Sequence, residues 1–204
     1  MPANKPYIIG LTGGIGCGKT EASNYLAYLG AVVLDADEVS HRITVKDGPA
    51  LPAIREKFGD EVFYPDGTLD RARLGDIVFG NLQTRRVLEG IMHPIVQRTM
   101  LQEMDEAAEG GASVVVFDVP LLFETGMDAL CDETWVMYAP EEEQINRVMT
   151  RDRITMEQAK ARIASQMTAD SRNAHATHVI HTDRPIERTH NELQSLYAAV
   201  LRKL

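Results

Sequence analysis

Cysteine is scarce in this sequence. The 204 residues include two, Cys17 and Cys131, which lie far apart along the chain. No Cys-x-x-Cys pair occurs, so the sequence indicates neither a zinc site nor a disulfide scaffold. A chain with so little cysteine suits a reducing compartment.

Long apolar runs and an excess of positive charge are also lacking. No apolar stretch is long enough to cross a bilayer, and the first residues do not form a signal peptide, so we expect a cytoplasmic protein without a membrane partner. The formal net charge is −9. This charge disfavours nucleic acid as the main partner, because a phosphate backbone selects clustered lysine and arginine. An anionic substrate would need a locally basic pocket.

What is present is the alternation of short apolar runs with helical periodicity that is typical of an α/β fold with a parallel sheet. Five runs are predicted as strands: 7–11, 31–34, 113–119, 134–138 and 178–180. A helix after the first strand and a helix at the end of the chain each have one apolar face. The final face comprises Leu193, Leu196, Tyr197, Val200, Leu201 and Leu204.

The phosphate-binding loop pattern G-x-x-x-x-G-K-[ST] is the strongest signal. It comprises Gly13, Gly14, Ile15, Gly16, Cys17, Gly18, Lys19 and Thr20, between a predicted strand and an amphipathic helix. Glycines allow the backbone to turn several N–H groups into one concavity, and the helix N-terminus adds its positive dipole end. We expect Lys19 to reach the β- and γ-phosphates of ATP and the Thr20 hydroxyl to bind Mg²⁺.

Two classes of nucleotide-binding protein remain open at this point, a switch protein and a kinase. A GTPase switch carries Asn-Lys-x-Asp and Asp-x-x-Gly motifs. Asn4-Lys5-Pro6-Tyr7 precedes the loop and lacks the aspartate, and no Asp-x-x-Gly occurs. These absences favour a kinase.

An acceptor site opposite the γ-phosphate is predicted at Asp35-Ala36-Asp37. The motif ends the second strand, at the carboxyl edge of the sheet where such folds bind ligands. A carboxylate there orients an acceptor hydroxyl and helps to deprotonate it. The alternative is that Asp37 caps the following helix.

A second acidic group, Asp118, follows the apolar run 114–117 and resembles the aspartate that holds Mg²⁺ in P-loop enzymes. The alternative is a strand-end aspartate that makes turn hydrogen bonds.

Arginines that neutralise the transferred charge are predicted on a helix after Ala139-Pro140. Arg147 and Arg151 lie four residues apart on one face of it. Arginine-bearing helices are what a lid over ATP requires. The alternative is a basic helix end favoured by the helix dipole.

Two further residues have open interpretations. His93, followed by Pro94 at the predicted start of a long helix, is either a substrate contact or a helix-start residue. Cys17 lies beside a helix N-terminus and near Lys19, which lowers a thiol pKa and predicts a reactive cysteine that ATP protects. The alternative is a buried and inert thiol.

Six motifs, in order along the chain, resemble those of the dephospho-coenzyme A kinase family. They are the run 9–20, Asp35-Ala36-Asp37, Asp66-Gly67-Thr68-Leu69 with Arg71 and Leu74, His93-Pro94, the run 118–124 with its Pro120-Leu121-Leu122 and Glu124, and Arg147 with Arg151-Asp152. The P-loop alone is not specific, but the ordered set covers the chain from residue 8 to about residue 170.

The resemblance implies a single P-loop kinase domain over residues 1–204. It implies a core of about 1–37 and 111–204, a helical substrate-binding insertion of about 38–110 and a lid of about 140–172. It also implies ATP, with Mg²⁺, as the donor for phosphorylation of the ribose 3′-hydroxyl of dephospho-coenzyme A. The alternative is another small-molecule kinase, such as a nucleoside monophosphate kinase.

The site residues that follow from this resemblance and from the patterns above fall into four groups. The catalytic group is Asp37, Lys19 and Arg147, the nucleotide group is the loop 13–20 with Arg151, the substrate group is Thr12, Asp37, His93, Leu122 and Glu124, and the metal group is Thr20 and Asp118. One departure concerns 177–184, where the family usually has D-x-V-I-x-N-x-G near the ATP base. The sequence here lacks that asparagine and glycine.

Overall fold

The computed structural model describes residues 5–204, which form a five-stranded sheet with flanking helices. The strands are β1 (Tyr7–Gly13), β2 (Val32–Asp35), β3 (Val114–Asp118), β4 (Glu133–Tyr138) and β5 (His178–His181). The helices are α1 (Lys19–Tyr28), α2 (Ala36–Arg42), α3 (Leu51–Phe58), α4 (Arg71–Phe79), α5 (Leu82–Glu109), α6 (Glu141–Asp152), α7 (Met156–Ala164), α8 (Ala169–Ala174) and α9 (Ile186–Leu201). Short 3-10 turns occur at Asp60–Val62 and Met127–Leu130.

The strand order is β2-β3-β1-β4-β5, and β1 lies in the centre. It pairs in parallel with β3 and β4, so that Leu11 lies opposite both Asp118 and Trp135. All five predicted strands are present to within about two residues, and the α/β prediction is confirmed. Because parallel strands share their direction, the carboxyl ends of β1 and β3 meet at the same edge of the sheet.

The main core lies between the sheet and the helices α1 and α9. Leu26 of α1 and Leu193 of α9 are fully buried in it, together with Trp135 of β4. The predicted apolar faces of both helices are confirmed over most of their length. Leu201 and Leu204 are the exception, with 46% and 59% of their surface exposed. The helix ends at Leu201, so Leu204 lies outside it.

The chain divides into two compact units, residues 35–103 and the remainder. The unit 35–103 is helical apart from an isolated bridge between Phe63 and Leu69. Asp66 closes the turn between them, since its carboxylate accepts from the amide of Thr68 at 3.0 Å. The helical character predicted for this stretch is therefore confirmed.

The start of α5 differs from the prediction. Asn81 precedes the helix and accepts from the amide of Gln83 at 2.8 Å, whereas Pro94 lies inside the helix. The prediction that His93-Pro94 opens the helix is therefore wrong. A proline inside a helix has no amide hydrogen to donate, and its ring crowds the carbonyl of the residue four positions earlier, which here is Gly90.

The segment after β4 consists of α6, α7 and α8. Thr155 and Gln158 form a capping box at the start of α7, with both reciprocal hydrogen bonds. Ile145, Val148 and Ala159 form a small core of their own, against which Ile15 of the P-loop packs.

A polar cluster occupies the opposite, amino edge of the sheet. The Glu133 carboxylate, whose residue is 7% exposed, accepts from Tyr7 Oη at 3.0 Å and from Trp135 Nε1 at 2.8 Å. Lys203, after α9, forms an ion pair with it. Burial alone would raise the pKa of Glu133, but the hydrogen bonds from Lys203, Trp135 and Tyr7 outweigh it and hold that pKa below its usual value. The cluster thereby ties the end of the chain to the sheet.

We expect Glu133→Gln to lower the free energy of unfolding by about 1–3 kcal/mol at pH 7, the cost of disturbing buried hydrogen bonds. The folded-state pKa lies below the ordinary 4.5, so the contribution is complete above that pH and is lost as the pH falls through the lowered value. Urea unfolding of both proteins between pH 3 and 8 measures this. The exposed Glu106→Gln is the control, and a Glu133→Gln penalty that does not shrink at low pH contradicts the account.

Candidate active site

The P-loop backbone is shaped by two glycines in the left-handed region. Gly16 and Gly18 have φ of 78° and 80°, which side-chain-bearing residues rarely adopt. A Cβ at Gly16 would also lie 3.0 Å from the carbonyl oxygen of Gln144. The loop leads directly into α1, whose first turn receives no side-chain cap. Its N–H groups are therefore suited to an anion.

Lys19, the first residue of α1, forms an ion pair with Asp118 at the end of β3. The hydroxyl of Ser23 donates to the other carboxylate oxygen of Asp118. Asp118 is buried. Its oxygens accept hydrogen bonds from these two side chains, whereas the alternative predicted hydrogen bonds within a turn. Ser23 escaped the sequence analysis, although its position four residues after Lys19 places both on one face of α1.

A divalent cation would find hard oxygen donors in this place. Thr20 is exposed at the second position of α1, and the Asp118 carboxylate lies at the adjacent end of β3. Oxygen ligands of this kind are those that Mg²⁺ prefers. Over residues 5–204, no group of three histidine, cysteine or acidic side chains could hold a metal. A metal ion here would therefore require further ligands from nucleotide phosphates or water.

Arg147, on α6, contacts the P-loop directly. Its Nη1 donates to the carbonyl oxygen of Gly16 at 3.2 Å and to Thr182 Oγ1 at 2.9 Å, and its Nη2 donates to the carbonyl oxygen of Thr182 at 2.7 Å. Nε pairs with Glu143 at 3.0 Å. The guanidinium thus joins the P-loop to the segment after β5, where we predicted a contact with transferred phosphate.

Arg151 lies one turn further along α6 and is more exposed. It pairs with its neighbour Asp152 at 2.7 Å, and Arg162 of α7 pairs with the same carboxylate at 2.6 Å. The hydrogen bond from Arg151 is the largest influence on the pKa of Asp152. Together with the charges of Arg151 and Arg162 it holds that pKa below its usual value, against the opposing effect of burial. Asp152 therefore stays ionised at neutral pH and ties α6 to α7.

Three polar side chains from the α6–α8 segment lie close to the P-loop. Gln166 accepts from the amide of Ile15 at 2.9 Å. A Cβ at Gly14 would lie 3.0 Å from Gln144 Oε1 and 3.1 Å from Arg172 Nη1, so a side chain at this position would crowd both. Sequence analysis missed these contacts because residues so far apart along the chain give no local pattern.

The predicted substrate residues outside the unit 35–103 have different environments. Thr12 is buried and donates to the carbonyl oxygen of Pro120 at 3.1 Å. Leu122 is fully buried beneath Gly10, so its side chain belongs to the core, and the prediction that it contacts substrate is not supported by this structure. Glu124 is exposed.

Asp37 and His93 belong to the unit 35–103. The cap of α2 is Asp35, which accepts from the amides of Asp37 and Glu38 at 2.7 Å and 3.2 Å. Asp37 is exposed in the first turn, so the alternative that it serves as the helix cap is wrong. His93 is exposed on α5, not at a helix start.

Cys17 has 2% of its surface exposed. Burial raises the pKa of its thiol, although Ala139, Arg172 and the loop backbone act in the opposite direction. The structure therefore favours the alternative of a buried and inert thiol, because desolvation outweighs the nearby positive charge. Burial, followed by the charges of Asp128 and Asp132, raises the pKa of Cys131 to about 12.

We expect iodoacetamide at pH 7.5 to label neither cysteine rapidly in the folded protein, because both thiols remain protonated. Peptide mapping with and without denaturant measures this, and Cys17→Ser provides the reference. Rapid labelling of Cys17 that ATP and magnesium slow would instead support a reactive thiol.

No helix among residues 5–204 has the length and apolar character needed to cross a membrane.

Comparison with known proteins agrees with this geometry. Residues 7–187 match the dephospho-CoA kinase family model. A dephospho-CoA kinase of Carboxydothermus hydrogenoformans is 40% identical over 93% of this chain and 92% of its own. A solved Thermus thermophilus structure matches with TM-score 0.81 and 31% identity over 96% and 98% of the two chains. A Campylobacter jejuni dephospho-CoA kinase matches with TM-score 0.64 and 25% identity over 97% and 98%. The chain belongs to the dephospho-CoA kinase family.

Proposed function

We propose that this protein transfers the γ-phosphate of ATP to the ribose 3′-hydroxyl of dephospho-coenzyme A, giving coenzyme A and ADP. The observation that carries the proposal is the P-loop, with Lys19 and Asp118 side by side at the carboxyl edge of the sheet. The substrates follow from membership of the family. The absence of a spanning helix among the described residues is compatible with action in the cytoplasm.

In this proposal, the P-loop holds the phosphates of ATP. The amides of Ile15 and Cys17 already donate to Gln166 and to the carbonyl oxygen of Gly14. The other N–H groups of the loop and the uncapped start of α1 meet phosphate oxygens. Lys19 exchanges its contact with Asp118 for the β- and γ-phosphates and stabilises the charge of the transferring group. Thr20 and Asp118 would hold Mg²⁺, which neutralises phosphate charge when bound.

The transfer breaks the bond between the γ-phosphorus and the oxygen that bridges to the β-phosphate, and it forms a bond to the ribose 3′-oxygen. We assign Asp37 to the acceptor hydroxyl, whose proton its carboxylate orients and accepts. Its exposure, and the capping of α2 by Asp35, support this assignment. We assign Arg147 and Arg151 of α6 the role of neutralising the charge of the transferred phosphate.

The acceptor is tested by ADP release with a panel of compounds. We expect release with dephospho-coenzyme A, and none above background with AMP, CMP or coenzyme A. Coenzyme A is the sharpest control, because its 3′-hydroxyl already carries phosphate. A folded Lys19→Ala variant should lose turnover by at least about 100-fold with the best acceptor. A clear preference for AMP or CMP would overturn the proposal in favour of a nucleoside monophosphate kinase.

We expect Asp37→Asn to lower kcat by about 10²–10⁴ while the affinity for ATP changes little, because a positioned carboxylate acts on the acceptor hydroxyl. Asp35→Ala, which removes the cap of α2, should instead lower the melting temperature. Steady-state kinetics and thermal melts of both variants separate these effects. Normal turnover in Asp37→Asn would remove Asp37 from the chemistry.

A further inference from the structure

Thr182 lies directly after β5 and contacts three parts of the molecule. Its amide donates to the carbonyl oxygen of Tyr138 at 2.9 Å, which extends the pairing of β5 with β4. Its hydroxyl lies 3.2 Å from the carbonyl oxygen of Cys17 in the P-loop and 2.9 Å from Arg147 Nη1. The residue is 8% exposed, so these contacts are shielded from water.

The direction of the hydroxyl hydrogen bonds follows from the donors available. Arg147 can only donate, so the oxygen of Thr182 accepts from it and keeps one proton to give. Tyr138 O, at 3.3 Å, already accepts the amide of Thr182. The hydroxyl therefore donates its proton to the closer acceptor, the carbonyl oxygen of Cys17. It thereby connects this P-loop carbonyl to the guanidinium of Arg147.

The same guanidinium reaches the P-loop a second time. Arg147 Nη1 donates to the carbonyl oxygen of Gly16, next to Cys17 in the chain. The carbonyls of two successive P-loop residues therefore accept hydrogen bonds from side chains outside the loop. Gly16 has a positive φ and no side chain, so its backbone conformation depends on hydrogen bonds such as the one from Arg147.

We propose that Thr182 is a positioning residue for the phosphates of the nucleotide. Its hydroxyl fixes the P-loop at Cys17 and orients the guanidinium of Arg147 on Gly16. The proposal rests on the proposed function, because it assumes that the P-loop holds the phosphates of ATP. It assigns Thr182 no contact with substrate.

Two substitutions at this position separate the hydroxyl from the methyl group. Thr182→Val keeps the shape and removes both hydrogen bonds. Thr182→Ser keeps the hydroxyl and removes the methyl group, which lies 3.6 Å from the position of a Cβ on Gly18. A role confined to packing would make serine the more harmful change, whereas positioning by the hydroxyl makes valine the more harmful one.

A matched control is available in Thr134, at the amino end of β4. It is also 8% exposed, and its hydroxyl donates to the carbonyl oxygen of His175 at 3.0 Å and accepts from the amide of Thr177 at 3.0 Å. Thr134→Val therefore removes a comparable buried hydroxyl away from the P-loop. Any general effect of that loss on stability should appear in both valine variants.

The experiment measures the dissociation constant of ATP with magnesium by calorimetry, together with kcat and KM for ATP. We expect Thr182→Val to weaken nucleotide binding and raise KM by about 10-fold, the scale of one hydrogen bond to a charged group. The change in kcat should be smaller. Thr182→Ser should bind ATP more tightly than Thr182→Val, and Thr134→Val should bind it like the parent.

Coupling to Arg147 provides a second arm. If Thr182 acts by orienting this arginine, Arg147→Ala and Thr182→Val together should weaken binding by less than the product of their separate effects. Melting temperatures confirm folding. Thr182→Cys, whose thiol hydrogen-bonds weakly, replaces the valine variant should that one not fold.

Several results would overturn the proposal. They are a Thr182→Val variant that binds ATP like the parent, a serine variant that is the weaker binder, or independent effects of the two substitutions. A parent protein that binds ATP but does not phosphorylate dephospho-coenzyme A would refute the proposed function, while the binding comparison would still decide the role of Thr182. A parent that does not bind ATP would refute both.

Discussion

The ion pair between Lys19 and Asp118 is the interaction on which the organisation of the site depends. It joins the start of α1 to the end of β3, and the parallel pairing of β1 with β3 brings these two ends together. Ser23 satisfies the second oxygen of the carboxylate. A buried carboxylate without partners would be costly, so the pair also keeps Lys19 beside the P-loop before any phosphate arrives.

The P-loop is held from outside as well as by its own glycines. Gln166 holds the amide of Ile15, and Arg147 and Thr182 hold the carbonyls that follow. All three belong to the part of the chain beyond β4, including the α6–α8 segment predicted to act as a lid. Changes in that segment can therefore reach the phosphate-binding backbone through a few hydrogen bonds.

Local patterns were enough to predict the elements but not the contacts between them. Short apolar runs predicted all five strands, and the pattern 13–20 predicted the P-loop. The same approach misplaced the start of α5, because Pro94 is a strong helix-start signal and the capping role of Asn81 is a weak one. Burial of Cys17, and the contacts of Ser23, Gln166 and Thr182, depend on residues distant in sequence, which no local pattern encodes. Asp37 was correctly placed near the end of β2, although its neighbour Asp35 caps the helix.

The most direct test of the account is the position of the phosphate in the product. Incubation with ATP, magnesium and dephospho-coenzyme A, followed by phosphorus NMR and comparison with authentic coenzyme A, identifies the hydroxyl that was modified. The account predicts one new phosphate, on the ribose 3′-oxygen, in an amount equal to the ADP formed. Phosphate on another hydroxyl, or ADP formed with free phosphate and unchanged acceptor, would contradict it.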